Sequence, residues 1–157
     1  MRAFKTGLVV MAAAAFTCGT AAANWHVESL PDNLPLASQS CLTTYSIVGT
    51  NGANSVFLDE STDELLKARG NIKLGGKLFD LKLVSTKTTG KDGADSSGIG
   101  AHFDRVFKDK SGAVVVETAV TVTALHPEAD SSEMGGSLTA KFQGGTQTIK
   151  IEGGVAC

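Results

Sequence analysis

The chain has 157 residues, with 14 basic and 16 acidic side chains, a formal net charge of −2 and 42% hydrophobic residues. That length suits one domain with a proper core rather than several. The mildly acidic balance excludes a general nucleic-acid binder, which needs a cationic surface.

The first residues read as a targeting segment. Arg2 and Lys5 give a positive start, Gly7 to Phe16 is apolar, and Ala21-Ala22-Ala23 suits a small-x-small cleavage site. This pattern predicts a signal peptide over residues 1–23, with an apolar run too short to anchor the chain. Its removal leaves 12 basic against 16 acidic residues. No second long apolar run follows, so the mature chain is expected to have no membrane span and to be periplasmic or secreted.

Residues 24–40 read as an N-terminal arm. Pro31 and Pro35 lack the amide hydrogen that regular pairing needs. Within the arm, Trp25 and Val27 suit the inner face of a short edge strand, with His26 and Glu28 outward. Residues 41–157 then form a single β domain. Leu42 to Val48 is rich in β-branched and aromatic residues, which predicts a strand with Thr43, Tyr45 and Ile47 on one face. Gly49 to Gly52 is a turn, and Ser55 to Asp59 returns as a strand. Ser61 to Arg69 fits either a two-turn helix, capped by Ser61 and Glu64 and ended by a left-handed Gly70, or a strand extension.

Gly70 to Ser85 is the most legible hairpin. Ile72, Leu74, Phe79, Leu81 and Leu83 alternate with polar neighbours around Gly75-Gly76, a pair that turns without a Cβ clash. Thr86 to Gly100 holds almost nothing apolar and reads as a long loop. Ala101 to Phe107 and the strongly β-branched Ala113 to Leu125 flank Asp109-Lys110-Ser111-Gly112, the composition of a tight turn. His126 to Gly136 reads as a polar loop around Pro127. A last hairpin joins Ser137–Phe142 to Thr146–Glu152, and Gly153-Gly154 leads to Cys157. The fold class is therefore all-β: an antiparallel sandwich or small barrel of seven to nine strands, with at most one short helix.

Chemistry is harder to find. His26, His102 and His126 have no metal-ligand spacing, although His102 and Asp104 would share a strand face. Asp92, Asp95 and the cluster from Asp59 to Glu64 lack calcium-loop spacing, so no metal and no cofactor is expected. Ser96 and Ser97 lie in the glycine-rich loop with no base held beside them, and no nucleophile elbow occurs.

Charge is more informative. Between Lys67 and Lys91 there are seven basic residues and one acid, Asp80. Lys73, Lys77, Lys82, Lys87 and Lys91 are the candidate binding residues, a basic face for an anionic envelope polymer or an envelope protein. The competing reading is edge protection and cross-strand pairing with the acidic half of the chain. The expected function is a non-catalytic envelope binding module using loops on a β scaffold. The alternatives are a barrel carrying a small apolar ligand and an enzyme with a loop-assembled site. Once the signal peptide is gone, Cys41 and Cys157 are the only cysteines, which predicts a disulfide between them in an oxidising compartment.

Overall fold

A computed structural model describes residues 24–34, 41–50, 52, 54–60, 68–90 and 98–156. Nine strands follow in order: β1 (Val27–Glu28), β2 (Leu42–Ile47), β3 (Ser55–Glu60), β4 (Arg69–Leu74), β5 (Lys77–Thr89), β6 (His102–Lys108), β7 (Val115–His126), β8 (Ser131–Phe142) and β9 (Gly145–Ala156). All pairings are antiparallel. The sheet order runs β1-β4-β3-β2-β9-β8-β7-β6-β5, and β5 pairs back onto β4. Eight strands thus close a barrel, and β1 is an extra strand laid against β4. Of the two architectures the sequence allowed, the barrel forms, and closure leaves no long edge exposed for aggregation.

Alternation decides which side chains fill the interior. Ile72, Leu74, Phe79, Leu81 and Leu83 are all buried, as the hairpin pattern predicts. They join Phe57, Phe107, Val116, Val120, Leu138 and Ile151 in one core. The turns β2–β3, β4–β5, β6–β7 and β8–β9 lie at one end of the barrel, called here the turn end. It is filled with aromatic rings: Phe142 meets Trp25 and Phe79 edge-on, with centroids 5.8 Å and 5.1 Å apart. Trp25 Nε1–H donates to the Phe142 carbonyl at 2.7 Å, and the Val27 amide donates to Gln147 Oε1 at 2.8 Å. Trp25 and Val27 are buried and His26 is exposed. The arm strand is therefore a plug.

Several boundaries differ from those the sequence suggests. Thr86 to Thr89 are not loop: they continue β5 and pair with Arg105 to His102. The polar stretch after His126 is a single 3₁₀ turn at Pro127–Ala129, and β8 begins at Ser131. Apart from Met134, which packs against the core, Ser131 to Gly136 are polar or small, a composition that imitates a loop. Opposite the Tyr45–Ser46 step β3 carries an extra residue, Val56, while β2 keeps its register with β9 and Ile47 stands across from Ile151. Ser46 is buried, and Ile47, at the end of β2, is exposed. Gly70 does not end a helix in a left-handed conformation. It lies within β4, where a Cβ would stand 2.7 Å from Phe57 Cζ and 3.1 Å from Phe107 Cδ1. Residues 61–67, the rest of that helix-or-strand alternative, lie outside the described residues, as does the signal peptide expected at 1–23.

Gly153 and Gly136 are the second surprise. Both sit inside strands, where a Cβ would meet the Thr44 carbonyl oxygen at 1.9 Å and the Ala119 carbonyl oxygen at 2.0 Å. Only a residue without a Cβ lets the adjacent strands coil this closely, which is how a sheet bends enough to close.

Candidate functional site

The structure separates the five candidate lysines. Lys73 Nζ is held 2.9 Å from Glu28 Oε2 on the plug strand. That ion pair and the Gly76 amide, which donates to Glu28 Oε1 at 2.5 Å, hold the Glu28 carboxyl below its usual range. Lys77 lies over the Phe79 ring, 5.0 Å from its centroid. Lys87 stands directly across from Asp104. Lys91 lies outside the described residues. Lys73 and Lys87 thus follow the cross-strand pairing expected of an ordinary wet face.

Lys82 is different. Its cross-strand neighbours are Arg69 on β4 and Lys108 on β6, all three exposed on the outer wall. Side chains directly opposite on adjacent strands have Cβ atoms roughly 5 Å apart, and like charges there destabilise a sheet. Glu60 lies across from Arg69, and Asp80, two residues before Lys82, accepts a 2.6 Å hydrogen bond from Asn71 Nδ2. Neither carboxylate stands opposite Lys82 or Lys108. Among the described residues, Arg69, Lys82 and Lys108 form no ion pair.

The register explains both the find and the miss. A two-residue turn at Gly75-Gly76 aligns Leu74 with Lys77, and counting outward aligns Arg69 with Lys82. That half of the row was legible. Lys108 was not, because β5 and β6 are joined by a long connection and a bulge between Leu83 and Ser85 shifts their register.

The second polar feature is inside the barrel, at the end away from the short turns. Asp59 on β3 is almost fully buried and accepts a hydrogen bond from Arg105 Nη1 on β6, so the pair spans the interior between non-adjacent strands. Asp59 Oδ1 has no hydrogen-bond partner among the described residues. Burial holds the Asp59 carboxyl above its usual range, against the pull of Arg105 and with a further push from Glu60. Burial likewise raises the Tyr45 phenol, whose hydroxyl donates to Met134 Sδ at 3.6 Å. Arg105, Tyr45 and Thr43 line a cavity of about 120 Å³, walled otherwise by Phe103, Val120, Met134 and Val155.

The shared face of His102 and Asp104 is observed: His102 Nε2 lies 3.1 Å from Asp104 Oδ1 and Nδ1 lies 2.8 Å from Thr121 Oγ1. Hydroxyl, imidazole and carboxylate are thus in line. They stand on the solvated outer wall, however, and the backbone amides beside them belong to the β6–β7 ladder. An acyl-transfer site needs preorganised donors in a water-excluded pocket, and this surface supplies neither. His126 pairs with Glu133 at 2.9 Å. No group of three or more His, Cys, Asp or Glu side chains among the described residues is arranged to hold a metal. Asp92, Asp95, Ser96, Ser97 and Cys157 lie outside the described residues. No helix among those residues is long and apolar enough to cross a membrane.

Comparison with known protein families, with curated proteins and with solved structures returned no match.

Proposed function

We propose that this chain is an exported, non-catalytic binding module whose barrel wall holds an anionic envelope polymer. The observation that carries the reading is the side-by-side row of Arg69, Lys82 and Lys108. Three cations placed in register cost the sheet stability, and a polyanion laid across the strands turns that cost into binding energy. Of the five candidate lysines, Lys82 carries the function. Lys73 and Lys87, each with an acidic neighbour, contribute little.

The carrier alternative is favoured only for very small ligands. An apolar cavity of about 150 Å³ holds benzene, and the cavity beside Arg105 measures about 120 Å³. An acyl chain does not fit inside.

Export is supported by the signal-peptide pattern of residues 1–23 and by the cysteines. Leu42, next to Cys41, pairs with Ala156, the last described residue. A Cys41–Cys157 disulfide, expected of an exported chain with two cysteines, is part of this proposal.

The binding test is retention of the purified chain on dextran-sulfate beads across a salt gradient. Arg69→Gln, Lys82→Gln and Lys108→Gln combined should abolish retention at physiological salt, while Lys73→Gln with Lys87→Gln leaves it nearly unchanged. Equal loss in both variants would reduce the effect to net charge and defeat the proposal.

A further inference from the structure

We infer that the cavity beside the Asp59–Arg105 pair is a binding site for a small neutral molecule with a hydroxyl or similar oxygen, about the size of a single six-membered ring. The inference is independent of the outer-wall reading, since the row of cations and this cavity are on opposite sides of the barrel wall.

Size sets the first limit. At about 120 Å³ the cavity is smaller than one that takes benzene, so roughly six non-hydrogen atoms fill it. The walls set the second. Phe103, Val120, Met134 and Val155 offer an aromatic ring, two branched aliphatic side chains and a polarizable thioether, which suits a flat apolar body.

Electrostatics sets the third limit. Arg105 is the charged side chain that lines the site, and Asp59 compensates it. Adding an anion or a cation would bury a third charge without its own counter-ion, which costs far more than a neutral group does. A neutral ligand leaves the pair undisturbed.

Hydrogen bonding then specifies the polar end. Among the described residues the acceptor of the Tyr45 hydroxyl is a thioether, at 3.6 Å, and sulfur is a weak acceptor. An oxygen on the ligand offers that hydroxyl a better partner. Thr43, which also lines the cavity, carries a hydroxyl that can donate or accept. A ligand that both donates and accepts, such as an alcohol or phenol, matches these two hydroxyls.

Phenol is the probe, and methyl-resolved carbon–proton spectra of the full chain are the readout. Titration should give saturable shifts at the Met134, Val120 and Val155 methyl groups. Cyclohexylammonium, with the same seven non-hydrogen atoms as phenol but a charge, should bind at least tenfold more weakly. Val155→Phe should fill the space and weaken phenol binding at least tenfold, and Met134→Phe serves if that variant does not fold. Lys82→Glu on the outer wall should leave phenol binding unchanged and impair only retention on the polyanion, which keeps the two proposals separable. Shifts that fail to saturate, that fall elsewhere, or that are matched by cyclohexylammonium at equal concentration would overturn the inference.

Discussion

The two ends of this barrel solve opposite problems. At the turn end, Trp25, Phe79 and Phe142 pack edge-on, and the indole N–H has a carbonyl partner. At the far end the interior holds an ion pair, a phenol bonded to sulfur, a carboxylate oxygen without a partner among the described residues, and a cavity. Packing an apolar end contributes to stability, whereas a buried ion pair often contributes less than a hydrophobic trio of the same volume. The difference teaches that stability is concentrated at one end of the barrel and unmet chemistry at the other.

The largest expected effects break one end at a time. Trp25→Ala should cost about 3–5 kcal/mol, because it opens a cavity and removes the indole hydrogen bond to the Phe142 carbonyl. At the far end, Arg105→Met alone should cost a similar amount, about 3–5 kcal/mol, by leaving Asp59 buried without its partner. Replacing both, Asp59→Leu with Arg105→Met, should recover most of that loss. Denaturant melts of the three proteins decide it. If the double variant is as unstable as the single one, the ion pair is not the weak element argued here.

A smaller effect concerns the strand geometry that joins the ends. Gly153→Ala should cost about 1–3 kcal/mol or more, since the added methyl has a backbone oxygen in its way and no flexible side chain to displace. A melting curve like that of the wild type would show that the β2–β9 approach can relax.

Acid should separate the ends as well. Glu28 has its pKa lowered from 4.5 on folding, mainly by Lys73 and then by the Gly76 amide. Its contribution is therefore present above pH 4.5 and is lost as pH falls through the lower folded value. Asp59 has its pKa raised from 3.8, so its contribution is full below 3.8 and is lost as pH rises through the folded value. Amide exchange read below pH 4.5 should thus loosen β1 before it loosens β3. The reverse order would contradict the assignment of these two carboxylates.

The smallest effect has the most diagnostic sign. Lys82→Glu should raise stability by roughly 0.5 kcal/mol, by placing an acid between Arg69 and Lys108. A gain in stability coupled to a loss of polyanion retention would mark the row as kept for binding rather than for folding.

How legible all this was depends on the distance over which each feature is set. The hairpin around Gly75-Gly76 and the turn at Asp109 were readable because local chemistry fixes them; Gly112 N–H donates to the Asp109 carbonyl at 3.1 Å with a positive φ at Gly112. The plug strand was readable in part, since alternation put Trp25 and Val27 inward, but not the rings that receive Trp25. The glycines at 70, 136 and 153 misled, because glycine marks a turn in most sequences and here answers to side chains and carbonyls far along the chain.

Arg105 shows the limit most clearly. Its alternation with Phe103 and Phe107 was visible, yet an arginine on an interior face is intelligible only beside Asp59, 46 residues earlier. The sequence by itself determined the all-β class, the alternating core of β4 and β5, and the tight turns, since those follow from period-2 patterning and local backbone preference. Barrel closure, the ion pair across the interior and the row of three cations were decided by tertiary structure alone. Each depends on the register between strands distant in the chain, and a single bulge is enough to change which side chains meet.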